Sequence, residues 1–85
     1  MKEFSYIITD KDGIHARPAG ELVKIAKEFE SNILIRANEK DGDCKRIFTV
    51  MALGVKKGQE VILRFEGSDE DKAFEAVTGF MKEKL

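Results

Sequence analysis

Ile33-Leu34-Ile35-Arg36-Ala37-Asn38-Glu39-Lys40-Asp41-Gly42-Asp43-Cys44-Lys45 is the stretch on which the fold turns. Ile33 and Ile35 alternate with their neighbours as a strand does, and polar Asn38 to Lys40 end it. Asp41-Gly42-Asp43 is a strong turn signal, so a short further strand is expected through Cys44 and Lys45. Ile47, Phe48, Val50, Met51 and Leu53 are then too densely apolar for a solvent loop and predict a short helix. Gly54 supplies a left-handed stop for it.

The flanks complete the pattern. Phe4, Tyr6 and Ile8 alternate with Ser5, Ile7 and Thr9 as a first strand, broken by a turn at Lys11-Asp12-Gly13. From Ala16 to Phe29 the apolar positions Ala19, Leu22, Val23, Ala26 and Phe29 follow helical spacing, with Lys24, Lys27 and Glu28 on the other face. Pro18 is tolerated there because a first-turn N–H has no intrahelical partner. Val61, Leu63 and Phe65 alternate as a fourth strand. Ser68 or Asp69 can cap a last helix reaching Lys84, with Ala73, Phe74, Val77, Phe80 and Met81 as its buried side. Acidic residues in its first turn and Lys82 and Lys84 in its last both suit the helix dipole. The order is β-α-β-β-α-β-α in a single domain over residues 1–85. Such segregation predicts an α+β fold, a mostly antiparallel sheet with helices on one face.

Composition narrows the function. The chain has 85 residues, 42% apolar and 36% charged, with 15 basic against 16 acidic side chains. A net charge of −1 argues against a dedicated nucleic-acid binder, which carries a basic excess. No apolar run approaches the ~20 residues of a membrane helix, so no membrane insertion is expected. Met1-Lys2-Glu3-Phe4 shows no signal-peptide core. One Cys, Cys44, and one His, His15, assemble no metal cluster. Asp10-x-Asp12-Gly13 shares part of a calcium loop, but the remaining ligands and the closing Glu are missing. No metal or cofactor is expected, and the expected compartment is a reducing cytoplasm.

Gly13-Ile14-His15-Ala16-Arg17-Pro18-Ala19-Gly20 carries the chemistry. The only histidine directly precedes a helix start, where unpaired N–H groups and a partial positive charge make an anion site. That terminus and Arg17 both disfavour imidazolium, which suits His15 to act as a neutral nucleophile. Once phosphorylated, the ring would have Arg17 as a fork and the N–H groups of Ala16 and Arg17 for the phosphate oxygens. A phosphohistidine, a general base and a bound oxyanion all fit these residues.

Residues 13–19 resemble the active-site signature of HPr, the histidine-containing phosphocarrier family of the phosphoenolpyruvate-dependent sugar phosphotransferase system. The resemblance spans the chain. Lys45-Arg46-Ile47-Phe48-Thr49-Val50-Met51-Ala52-Leu53-Gly54-Val55 resembles the second motif, and Glu66-Gly67-Ser68-Asp69-Glu70 the acidic start of the last helix. It implies an open-faced β-sandwich, four antiparallel strands with three helices on one side. It further implies that His15 carries phosphate on Nδ1, stabilised by Arg17. Enzyme I would donate the group and sugar-specific A domains receive it, making the chain a carrier and not a turnover enzyme. A docking face would include Gly20, Lys24, Lys27, Ile47, Phe48 and Met51, on a chain expected to be monomeric.

Two departures stand out. Gram-positive members carry, at the position of Arg46, a serine that an ATP-dependent kinase phosphorylates. Arg46 has no hydroxyl, so that reaction is excluded here, and Thr49 does not match the motif position. Glu21 stands where many members have an apolar residue, and is the change expected to discourage an acidic partner. The rival readings are a paralogue in a regulatory phosphorelay and a non-phosphorylated regulatory or RNA-binding α+β module. Against the latter stand His15 with Arg17 and the lack of a basic, aromatic sheet face.

Overall fold

The computed structural model describes residues 1–85. The elements are β1 (Lys2–Ile7), α1 (Ala16–Ala26), β2 (Asn32–Ala37), β3 (Lys40–Asp43), α2 (Ile47–Met51), β4 (Glu60–Glu66) and α3 (Glu70–Lys84). This is the order that the hydrophobic periods predict. The four strands form one sheet in the order β1-β4-β2-β3, with every pairing antiparallel.

Alternation decides which sheet face is covered. Ile33, Ile35 and Ala37 of β2 and Val61, Leu63 and Phe65 of β4 are all buried beneath the helices. They meet Ala19, Leu22, Val23 and Ala26 of α1 and Ala73, Val77, Phe80 and Met81 of α3 in one core. Burying a large aliphatic side chain contributes roughly 1.5–3 kcal/mol, so this layer is the main source of stability. Leu34, Arg36 and Arg64 alternate onto the open face. There one nitrogen of Arg36 donates to both carboxylate oxygens of Asp41 at 3.0 and 3.1 Å, and Arg64 donates to Glu3 at 3.0 Å.

Three local expectations are corrected. The β2–β3 turn is Asn38-Glu39, both with positive φ (51° and 65°), and not Asp41-Gly42-Asp43. Ala37 pairs with Lys40, so two left-handed residues close the hairpin, as such turns require. The Asn38 side chain holds the turn by donating to the Leu53 carbonyl at 2.8 Å. Gly42 lies inside β3 for another reason: a Cβ there would stand 2.9 Å from the Thr49 carbonyl oxygen. Cys44 and Lys45 therefore follow the strand instead of forming it. Second, α1 ends at Ala26, and Lys27 to Phe29 continue as turns with Glu28 and Phe29 bonded three residues back. Phe29 still packs against the core.

Third, Asp69 stands at the start of α3 but does not cap it. Its carboxylate accepts from the backbone N–H groups of Glu30 (2.8 Å) and Ser31 (2.9 Å) and from the Ser31 hydroxyl. These bonds, the Ser31 hydroxyl foremost, lower the Asp69 carboxyl to about 2. On the far side of the fold α3 is tied again. The Leu85 carbonyl oxygen accepts from the N–H groups of Thr9 and Asp10 and from the Thr9 hydroxyl. No helix is long and apolar enough to cross a membrane.

Candidate functional site

The Thr9–Asp10 tie holds the loop that leads into α1. Within that loop Gly13 donates to the Asp10 carbonyl, and Ile14 donates to the Val55 carbonyl at 3.1 Å. Gly13 has φ +65°, and a Cβ there would sit 2.2 Å from the Val55 oxygen. Only glycine fits so close an approach. The chain then enters α1 with His15 as the residue before the first turn, in extended conformation.

His15 makes no capping bond with its side chain, which is 42% exposed. Its carbonyl oxygen accepts from Ala19 at 3.0 Å. Pro18 has no N–H, and the N–H groups of Ala16 and Arg17 have no acceptor in the protein. The unsatisfied donors of this terminus lie on the consecutive residues His15, Ala16 and Arg17, and the last two are the ones that the sequence singles out. Arg17 is exposed and has no carboxylate within ion-pair distance.

His15 and Arg17 line one open concavity of about 370 Å³ together with Asp10, Pro18, Glu21 and Lys84. The sequence reading does not place Asp10 or Lys84 there. The Asp10 Oδ2 oxygen lies 3.9 Å from Nε2 of His15, while Oδ1 accepts from the Asp12 N–H at 2.8 Å. The side chains of Asp10, Asp12 and His15 bring their ligand-type atoms within 4.8 Å of one another.

The expected docking residues fall on adjoining helices. Gly20 of α1 faces Ile47 of α2, with 3.8 Å between a Cβ built on Gly20 and Ile47 Cδ1. Phe48 is 83% exposed and Met51 39%, whereas Val50 and Leu53 are buried in the core. Lys24 and Lys27 are exposed at the far end of α1. Arg46 is the residue before α2. Thr49, to which the sequence assigns no role, ties α2 to the end of β3. Its hydroxyl accepts from the Asp43 N–H at 2.9 Å and lies 2.7 Å from the Arg46 carbonyl oxygen. Cys44 is buried, and desolvation pushes its thiol up to about 12, so it is no nucleophile at neutral pH.

Comparison with known proteins agrees with this geometry. The family described as "PTS HPr component phosphorylation site" matches residues 2–83. The phosphocarrier protein HPr of Mycoplasma capricolum is 52% identical over 77 residues, 91% of this chain and 86% of that protein. HPr of Lysinibacillus sphaericus is 45% identical over 83 residues, 98% of this chain and 94% of that protein. A solved mycoplasma histidine-containing phosphocarrier superposes with a TM-score of 0.93 at 49% identity, covering 96% of this chain and 93% of that one. Fold, helix terminus and sequence agree, and the chain belongs to the HPr family of phosphocarriers of the phosphotransferase system.

Proposed function

We propose that His15 accepts a phosphoryl group from phosphorylated enzyme I on Nδ1 and passes it to sugar-specific A domains. The observation that carries this reading is the pairing of an exposed imidazole with two unbonded N–H groups and an unpaired guanidinium at one helix terminus. With the Asp10 carboxylate on the Nε2 side, the ring proton is favoured there and the lone pair is left on Nδ1. That lone pair forms the new N–P bond as the bond from phosphorus to the donor's leaving atom breaks, and that atom keeps the electron pair. The ring retains its Nε2 proton and gains a positive charge beside Asp10. Arg17 and the N–H groups of Ala16 and Arg17 meet the phosphoryl oxygens, as phosphoryl transfer asks chiefly for positioning and charge.

Docking on the α1–α2 face follows from its exposed apolar centre. Phe48 and Met51, beside Ile47 and Gly20, offer an anchor, with Lys24, Lys27 and Arg17 at the rim. The same reading makes the chain a monomeric cytoplasmic carrier whose turnover is that of its partners. Arg46 leaves it without the serine switch.

Incubation with enzyme I and labelled phosphoenolpyruvate tests the proposal. Label that is acid-labile, alkali-stable and absent from His15→Ala supports it, and label retained by that variant overturns it. Transfer onward to purified A domains, or only to a regulator, separates a sugar carrier from a regulatory relay.

A further inference from the structure

Lys84 lines the His15 concavity from the opposite end of the chain. It is the last residue of α3, and its neighbour Leu85 is buried with its carbonyl oxygen held by Thr9 and Asp10. Those bonds fix the end of α3 against the loop that precedes His15. Lys84 is exposed and has no carboxylate within 4 Å, although Asp10 and Glu21 line the same concavity. Arg17 is unpaired in the same way. Two free cations, one from each end of the sequence, thus border one exposed nucleophile.

We propose that Lys84 is a second phosphate-binding residue, which with Arg17 holds the dianionic phosphoryl group on His15. This rests on His15 being the phosphorylated residue. The Nζ group is a compact charge on a long stem and complements the planar fork of Arg17. A lysine that served only the helix C-terminus would leave the titration of a phosphoryl group on His15 unchanged when replaced.

The test uses potassium phosphoramidate as donor, which needs no partner protein, on the whole chain and on Lys84→Met and Lys84→Arg. Phosphorus NMR follows the second ionisation of the phosphoryl group. Loss of the cation in Lys84→Met is expected to raise its midpoint by a few tenths of a pH unit, and Lys84→Arg to restore it. The fraction phosphorylated at equilibrium is expected to fall about threefold in Lys84→Met at low salt, with the difference shrinking at high salt. Equal midpoints and equal salt dependence in wild type and Lys84→Met overturn the proposal. A wild type that carries phosphate on His15 from phosphoramidate but takes none from enzyme I would sink the reading of its partner and leave this measurement intact. A wild type that phosphoramidate does not label on His15 overturns both.

Discussion

Nε2 of His15 and Oδ2 of Asp10 stand 3.9 Å apart, a nitrogen and a carboxylate at ion-pair range in an exposed site. The same carboxyl group closes the turn at Asp12 through its other oxygen, so the loop conformation and the charge beside the ring come from one side chain.

Replacing Asp10 by Asn separates those two tasks. The amide oxygen can still accept from Asp12, so the fold should be kept. The charge that faces the phosphorylated ring is lost. An exposed pair contributes up to about 1 kcal/mol, so phosphorylation by enzyme I should slow by about two- to fivefold. Initial rates at equal denaturation midpoints check this.

Phe48→Ala should cost little stability, within about 0.5 kcal/mol, because the ring is already in water. Its burial energy appears only in a complex, where a central aromatic anchor contributes about 2 kcal/mol or roughly 30-fold in affinity. Urea denaturation alongside calorimetric titration of enzyme I distinguishes the two. A large fall in midpoint with unchanged affinity would place Phe48 outside the interface.

Acid should loosen the joint between α1 and α3. The Asp69 carboxyl is held at about 2 by Ser31 and Glu30, below its ordinary value near 4. A depressed carboxyl contributes stability that is fully present above the unfolded pKa and is lost as pH falls through the folded one. Melting temperature should therefore drop between about pH 4 and pH 2. Ser31→Ala removes the leading cause, so its melting curve should be less steep over that window. An unchanged slope would contradict the assignment.

Two glycine-to-alanine changes should act in opposite directions. At Gly42 the added methyl meets the Thr49 backbone at 2.9 Å, and the forced shift should destabilise by ~1–3 kcal/mol. At Gly79, inside α3 with nothing within 4 Å, alanine should stabilise by ~0.5–1 kcal/mol. Urea midpoints of the two variants give both signs directly.

Periodic burial makes the fold legible in the sequence itself. Alternation at Ile33/Ile35 and Val61/Leu63/Phe65, and helical spacing at Leu22/Val23/Ala26, are local consequences of backbone geometry. His15 beside Arg17 was legible for the same reason, since a helix start is a local event. What escaped is non-local. Asn38-Glu39 lost to the stronger-looking Asp41-Gly42-Asp43 because Gly42 answers to the approach of Thr49, a neighbour in space. Asp69 looks like a cap until Ser31, 38 positions earlier, takes its carboxylate. Lys84 lines the His15 concavity because the end of α3 is bonded to Thr9 and Asp10.

The approach of Gly13 to Val55, too tight for any side chain, ties the segment just before His15 to the segment just after α2. On the proposed docking face, a protein that grips Phe48 would also set the distance and angle at which the imidazole is offered. Under the proposed function each recipient would then carry its own reactive atom at the matching reach. Exchange among different recipients would then need no retuning of this chain, which would work as a fixed gauge that its partners are cut to fit.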